Sequence, residues 1–345
     1  VTATLSLSEI HAVFKQMRIV HPRVDNIARV CEGARRAAQL APNESQGWLG
    51  LFALSHSGKS HAIKMYLERV VVPELIASGA FPKEMPAEEI ARKQSRVIHV
   101  TLNEKATRES LYVDILLRLG CSVKASAKIG TLRRQLYQFL RGENDPINNP
   151  NKKRPCDLLI IDEIQHLSQG VLKQIKGSNT KSFEATGTDV TDALKFMMIE
   201  GMVPLMFVGV PESRVHLSVD PQLRNRHIEA IDFSPLRWSS DSDAEMFTNY
   251  VGKIGIMINR HGLLPKVCDL LDHDIPHRLW ASSGGLMGLA SRIAEMAVYH
   301  ALRVGKDRIG FEELALAVDT RAIPDGYCLY NPFREGVIES GDDRV

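Results

Sequence analysis

The sequence predicts an α/β fold, a five-stranded and largely parallel sheet built around a phosphate site, with a C-terminal helical lid. Three stretches carry that prediction. Residues 48–54 form an apolar run that gives way to small and polar residues, then to Gly58-Lys59-Ser60, then to helical spacing. Asp157-Leu158-Leu159-Ile160-Ile161-Asp162-Glu163 sets four consecutive aliphatics between acids. Beyond about residue 236 strand patterns cease, and helical ones run on to about Arg321.

The first stretch has the order a phosphate site needs: strand, tight loop, helix start. Backbone N–H groups at a fresh helix N-terminus point outward with partial positive charge and favour an anion. Gly58 lets the main chain approach the phosphates, Lys59 reaches the β and γ oxygens, and the Ser60 hydroxyl ligates Mg²⁺. Ser55, His56, Ser57 and His61 complete the loop's candidate ATP contacts. The pattern G-x-x-x-x-G-K-[ST] is incomplete: Ala53 holds its first position and denies the backbone the positive φ that Gly would allow.

The second stretch reads as a strand buried on both faces, of the kind found inside a parallel sheet. Asp162 then stands at its carboxyl end, where α/β sheets place their ligands. There it can hold Mg²⁺ through water, and Glu163 can polarise an attacking water. ATP and Mg²⁺ are the ligands expected, and hydrolysis to ADP and phosphate is the expected chemistry.

The remaining elements follow in order. Ser6-x-x-Glu9 is a capping box before Ile10, Val13, Phe14 and Met17, which share a helical face. Pro22 fixes the entry to a second helix over Val24 to Leu40, with Arg29, Arg35 and Arg36 on its solvated face. A helix from Lys59 to about Val71 packs on the sheet, and residues 73–94, with three prolines, read as a surface excursion. Residues 96–102 resemble the second strand, Thr107 caps a helix ended by Gly120, and a short helix starts at Thr131. Residues 142–155 and 168–188 are loop-like, 191–200 helical, and 203–209 and 227–233 the last two strands. Ser242-x-x-Glu245 is a second capping box, followed by helices over 245–258, 266–272, 276–282, 286–303 and 311–319. The expected organisation is N-terminal helices over 1–45, a nucleotide-binding domain over 46–235, a lid over 236–320 and a tail over 321–345.

Composition narrows the class. An apolar content of 44% and a charged content of 24% in 345 residues are ordinary for a globular chain with a full core. A net charge of +2 excludes a bulk polycation, so any nucleic-acid contact comes from a local patch. The five cysteines lie far apart without C-x-x-C pairing, which argues for a reducing cytosol and against zinc or a disulfide framework. No signal pattern or membrane-length apolar run is visible, so a cytoplasmic protein without a membrane partner is expected.

An Asp-Glu pair at a strand end, five strands and a helical lid look like the AAA+ class. Within it the chain resembles the TniB/TnsC family of transposon ATPases, close to the replication-initiator clade, through HPRVDNIARV, SHSGKS, LLIIDEIQHL, VPLMFVGVPES, PQLRNRH, SGGLMGLASRI and a late NPF. The resemblance covers roughly residues 5–333, and its two nucleotide motifs are the specific part. It implies that Ile19, His21 and Arg23 cover the adenine. It also implies that Arg224 or Arg226 reaches the ATP of the next subunit as an arginine finger, and Arg226 is preferred because it immediately precedes the fifth strand. Arg292, one turn after Gly288, stands later than the initiator pattern puts its nucleotide-sensing arginine. The Asn or Thr that senses the γ-phosphate after the fourth strand is absent, and Ser213 is a poor substitute.

For DNA, the resemblance points to Lys105, Thr107 and Arg108, then Lys124, Lys128, Arg133 and Arg134, on the inner face of a ring or helical filament around duplex DNA. Such contacts are independent of sequence and sensitive to salt. Lys173, Lys176 and Lys181 form a second, weaker patch. The implied protein is an ATP-dependent transposition regulator that self-assembles and links a target-selecting adaptor of the TniQ type to a transposase, with Asn331-Pro332-Phe333 as a docking peptide or a simple unstructured end. Two other readings share the motifs: a nucleotide-gated DNA-binding scaffold with little hydrolysis, and a helicase-loader or secretion-type AAA+ ATPase.

Overall fold

The computed structural model of the chain describes residues 5–42, 44–104, 106–143, 154–167, 189–218 and 220–338. They fall into two compact units, one of Arg23–Ala53 and Lys59–Asp232, the other of Val1–Pro22, Leu54–Gly58 and Phe233–Val345.

The first unit is built on a sheet of β1 (Trp48–Phe52), β2 (Val97–Thr101), β3 (Leu158–Asp162), β4 (Leu205–Gly209) and β5 (His227–Ala230). The spatial order is β2-β3-β4-β1-β5, and every described pair is parallel. Parallel neighbours need crossover connections, which the intervening helices supply. Strand periodicity divides the core between two faces. Trp48, Ile98, Val100, Leu159, Ile161, Leu205 and Phe207 belong to one cluster, which also takes Leu111, Ile115, Leu132 and Leu136 from the helices Arg108–Arg118 and Ile129–Leu140. The alternate residues Leu49, Leu51, Leu158, Ile160 and Met206 are equally buried on the other face. There the helix Pro22–Leu40 brings Cys31 Sγ to 3.7 Å from Met206 Sδ. Phe52 pairs with Gly209 and Ile161 with Phe207, so the carboxyl ends of β1, β3 and β4 finish at nearly the same level, with β4 between the other two.

Two sequence expectations change here. The helix Lys59–Tyr66 continues through a π turn, Leu67–Val71, into a helix Val72–Ala77, carrying the chain past Pro73. Proline is tolerated there because first-turn N–H groups have no partner within the helix. The stretch after Pro73 is therefore not all a surface excursion: Leu75 is buried, and the helix Ala87–Lys93 buries Ile90 completely. Arg35 is not on a solvated face either, being 2% exposed. Its guanidinium donates to Glu32 (2.7 Å), Glu74 (2.7 Å) and Asp157 (3.3 Å), and Arg96 approaches the same aspartate at 3.5 Å. Asp157 thus ties the start of β3 to the helix Pro22–Leu40 and to Arg96 just before β2, and a buried cation is tolerated because acids surround it.

The second unit is helical. Ser6 caps the helix Leu7–Gln16 as expected, accepting the Glu9 N–H while its own N–H donates to the Glu9 carboxylate at 2.7 Å. Ile10 from this helix joins Phe247, Val251, Ile293, Ala297 and Leu314 in one core, with helices Asp241–Arg260, Ile275–Ser283, Met287–Arg303 and Phe311–Ala317 around it. The second capping box is not formed: the helix starts after Ser240, leaving Ser242 inside its first turn. Residues 266–272 are not helical. They run as irregular chain against Gly255, where a Cβ would lie 2.0 Å from the Cys268 carbonyl oxygen, a backbone approach that a helix with side chains does not reach. As far as Ile338 is described, the tail is not simply an unstructured end. Asn331 caps a short helix, Pro332–Glu335, and Phe333, 3% exposed, is part of the core. Among the described residues no helix is long and apolar enough to cross a membrane.

Candidate functional site

β1 ends at Phe52, and the chain turns through Ala53 to Gly58 into the helix Lys59–Tyr66. The positive φ values fall at His56 (61°) and Gly58 (94°). Ala53 does not need one. Its buried N–H donates to the Gly209 carbonyl at 3.1 Å, so the departure from glycine there leaves the loop intact. At Gly58 the glycine is required by its backbone angle. Ser57 is buried, and its hydroxyl has no hydrogen-bond partner among the described residues. An orphaned donor beside helix-start amides suits an anion such as a phosphate. Ser55 and His56 are exposed on the turn and His61 is half-buried in the first turn of the helix.

Lys59 Nζ donates to the Ala53 carbonyl at 2.5 Å. Burial lowers its pKa, while Asp162 and Glu163 act in the opposite sense. Ser60 Oγ lies 3.5 Å from Asp162 Oδ2, across the end of β4, so the two residues expected to hold Mg²⁺ do converge. Asp162 is 4% exposed. Burial would raise its pKa, but a hydrogen bond and charge from His99, with the Glu163 N–H and Lys59, hold it below the usual carboxylate value. Both carboxylate oxygens are engaged: Oδ1 accepts the Glu163 N–H at 2.8 Å and Oδ2 meets His99 Nε2 at 3.1 Å. The site therefore fits a divalent cation held by Ser60 and Asp162, with His99 fixing the plane of the acid.

Sequence reasoning misses His99. It lies opposite Ile160 in the parallel pairing of β2 with β3, which puts it on the same face as Asp162. The signal was a polar residue inside an apolar strand, but its partner depends on a register that only pairing supplies.

Glu163 sits at φ 58°, a left-handed step rarely taken by a residue with a side chain. Its carboxylate accepts a hydrogen bond from Gln165 Nε2. At the end of β4, Gly209 provides no sensing side chain. Ser213 is 1% exposed and donates to the Val210 carbonyl at 2.5 Å, so it is engaged elsewhere.

The two arginines before β5 differ. Arg226 is half-buried, donating to Ser45 Oγ (3.0 Å) and the Gln222 carbonyl (2.8 Å). Arg224 is exposed at the end of the helix Pro221–Arg224, and its guanidinium takes no hydrogen bond or ion pair among the described residues. Arg23 is 9% exposed and 3.7 Å from Asp232.

In the helical unit, Ile19 is a core residue and the His21 ring meets Phe233 and Tyr250 edge-on, with centroids at 6.2 and 5.8 Å. The loop turn Leu54–Gly58 rests on the helix Met287–Arg303 at Gly288, where a Cβ would lie 2.3 Å from the His56 carbonyl oxygen. Arg292, one turn on, does not extend toward that turn. Its Nη1 is bound by His11 Nδ1 (2.6 Å) and Glu295 (3.2 Å).

Of the DNA candidates, Thr107 is the N-cap of its helix, its hydroxyl accepting the Ser110 N–H at 3.1 Å. Arg108 lies 3.7 Å from Asp189. Lys124, Lys128, Arg133 and Arg134 are exposed, while Leu132 and Leu136 turn inward as expected. Lys105, Lys173, Lys176 and Lys181 lie outside the described residues.

The comparisons agree with this geometry. Residues 43–214 match the AAA domain family. No curated protein sequence matches the chain. The Aeropyrum pernix ORC2 protein, in its ADPNP–ADP complexes, is similar with a TM-score of 0.55 and 13% identity over 89% of this chain and 70% of that one. The Aeropyrum pernix ORC1 protein in complex with DNA gives 0.55 and 15% over 89% and 68%. Cdc6p from Pyrobaculum aerophilum gives 0.53 and 15% over 89% and 69%. At these identities the likeness is one of fold, and the fold is the AAA+ P-loop fold, with its five-stranded parallel sheet.

Proposed function

We propose that the chain is an ATP-dependent regulator of DNA transposition, which assembles on double-stranded DNA and links a TniQ-type adaptor to a transposase. The observation that carries the nucleotide half of this reading is the convergence of Ser60 Oγ and Asp162 Oδ2 at 3.5 Å, in a site whose Lys59 ammonium feels both Asp162 and Glu163. Loop amides and Lys59 bind the phosphates, Ser60 and Asp162 hold the cation, and Glu163 accepts a hydrogen bond from the attacking water. Mg²⁺, when bound, offsets negative charge on the β and γ phosphates. Ile19, His21 and Arg23 cover the adenine, and Arg292 senses the nucleotide after leaving Glu295. For the finger in a neighbouring subunit's site we favour Arg224 over Arg226, because its guanidinium is the exposed one. The transposition half is supported by the shared sequence motifs, and the DNA half by the exposed cluster Lys124, Lys128, Arg133 and Arg134.

Electron microscopy with duplex DNA and a non-hydrolysable ATP analogue tests it. Wild type forms nucleotide-dependent assemblies, Lys59→Ala loses ATP binding and assembly together, and Glu163→Gln keeps binding but does not disassemble. Assemblies that persist without nucleotide, or an Arg133→Glu/Arg134→Glu variant with unaltered DNA affinity at moderate salt, would refute the corresponding part.

A second reading, a nucleotide-gated scaffold that hardly hydrolyses ATP, is favoured by the bare end of β4 and the engaged Ser213. Phosphate release with and without DNA separates the two.

A further inference from the structure

The end of β4 lacks a sensing side chain, and there the structure places an amide that the motifs do not announce. A Cβ built on Gly209 would lie 2.5 Å from Ile164 Cγ2, 2.7 Å from Ser213 Oγ and 3.0 Å from Gln165 Oε1. The space that a residue larger than glycine would need at this strand end is filled by Ile164 and Gln165, from the segment after β3, and by Ser213, from the segment after β4. The left-handed step at Glu163 and the single 3₁₀ turn Ile164–His166 make this possible, because they fold the chain back under β4 instead of continuing outward. Gln165 then joins the two strand ends. Its Nε2 donates to the Glu163 carboxylate, and its Oε1, next to Gly209, is buried without a hydrogen-bond partner among the described residues. Buried carbonyl oxygens of that kind are uncommon. Ser213 cannot compete for the role, since its hydroxyl already donates to Val210.

We propose that Gln165 is the positioning residue of the hydrolytic site, supplying from the end of β3 the polar group that the end of β4 lacks. By donating to one oxygen of Glu163 it fixes that carboxylate's rotamer and leaves the other oxygen to accept the hydrogen bond of the attacking water. A base held by a fixed donor is already arranged for the reaction, whereas a free carboxylate next to a lysine has several rotamers to choose from. The proposal rests on the reading that Glu163 acts on water in ATP hydrolysis.

The test compares Gln165→Glu and Gln165→Leu with wild type and Glu163→Gln, measuring ATP affinity by titration, phosphate release over a range of ATP concentrations, and thermal midpoint. Gln165→Glu keeps the shape and volume of the side chain but sets a carboxylate against Glu163 in place of the N–H donor, and Gln165→Leu removes the donor without adding charge, so a loss common to both is a loss of positioning. Both Gln165 variants are expected to bind ATP like wild type, with KM unchanged and kcat lowered on the order of 100-fold. Wild-type kcat in Gln165→Glu overturns the proposal, as does a loss confined to KM or to thermal midpoint. If Gln165→Leu does not fold, Gln165→Glu decides alone. If Glu163→Gln turns over ATP as fast as wild type, the hydrolysis reading fails, and the role given to Gln165 goes with it. A wild-type rate in Gln165→Glu beside an inactive Glu163→Gln removes this proposal only.

Discussion

Lys59 carries its charge into a half-buried loop, and the free protein is destabilised by it. Burial lowers its pKa from 10.5, and Asp162 and Glu163 offset that only in part. The unfolded chain therefore binds this proton more tightly than the folded one. Below the folded pKa both states are charged and the cost is fully present; it fades as pH climbs toward 10.5, above which both are neutral. Lys59→Met should raise the calorimetric midpoint of the nucleotide-free protein at pH 7, by a margin that shrinks on approach to that upper limit. Added ATP should stabilise wild type and not the variant. A lower midpoint for the variant at every pH would contradict the assignment. At this scale the sequence announces Lys59, Ser60, Asp162 and Glu163, because each lies in a contiguous run whose order is itself the signal. His99 and Gln165 are silent, one needing the β2–β3 register and the other a left-handed step at a non-glycine residue.

Among the elements, the helix Met287–Arg303 packs directly on the loop turn. Gly288 lets it approach until only 2.3 Å would separate a Cβ from the His56 carbonyl oxygen, and the backbone on the far side of that gap cannot yield without moving the turn. Gly288→Ala should weaken ATP binding by roughly tenfold, equivalent to about 1.4 kcal/mol, because overpacking against main chain is relieved only by displacing it. Isothermal titration would show this, and unchanged affinity would mean that the turn is free to adjust. Elements were legible wherever a period repeats: all five strands and the long helices follow from it. Capping signals fared unevenly. Ser6-x-x-Glu9 forms its box, while Ser242-x-x-Glu245 is a chance spacing that begins inside the first turn of a helix capped two residues earlier. Residues 266–272 have apolar spacing that satisfies burial without helical hydrogen bonds, a distinction no spacing rule makes.

At the scale of the whole molecule, two separate cores account for how distant parts of the chain depend on each other. Residues from both ends, Ile10 and Phe333, are built into the same helical core, although the C-terminal segment shows little periodicity of its own. Phe333→Ala should destabilise that unit by about 3–5 kcal/mol, the cost of emptying a fully packed aromatic site. Chemical denaturation followed by tryptophan fluorescence, with Trp238 and Trp280 reporting the helical unit, would register it. A loss under 1 kcal/mol, within the range of ordinary surface substitutions, would show that the segment is not integral. The fold class was legible at this scale because alternating strand and helix patterns leave few arrangements open.

The cysteines of these two cores have a practical side. Burial raises the pKa of all five thiols, so it is exposure that separates them: Cys31, Cys121, Cys156 and Cys268 are buried. Cys328 alone is half-exposed, and it follows Tyr327, whose ring meets His56 of the loop turn at 5.4 Å. A maleimide dye would accordingly find one native sulfur ahead of the rest, and its colour would report what the phosphate loop is doing without any engineered label.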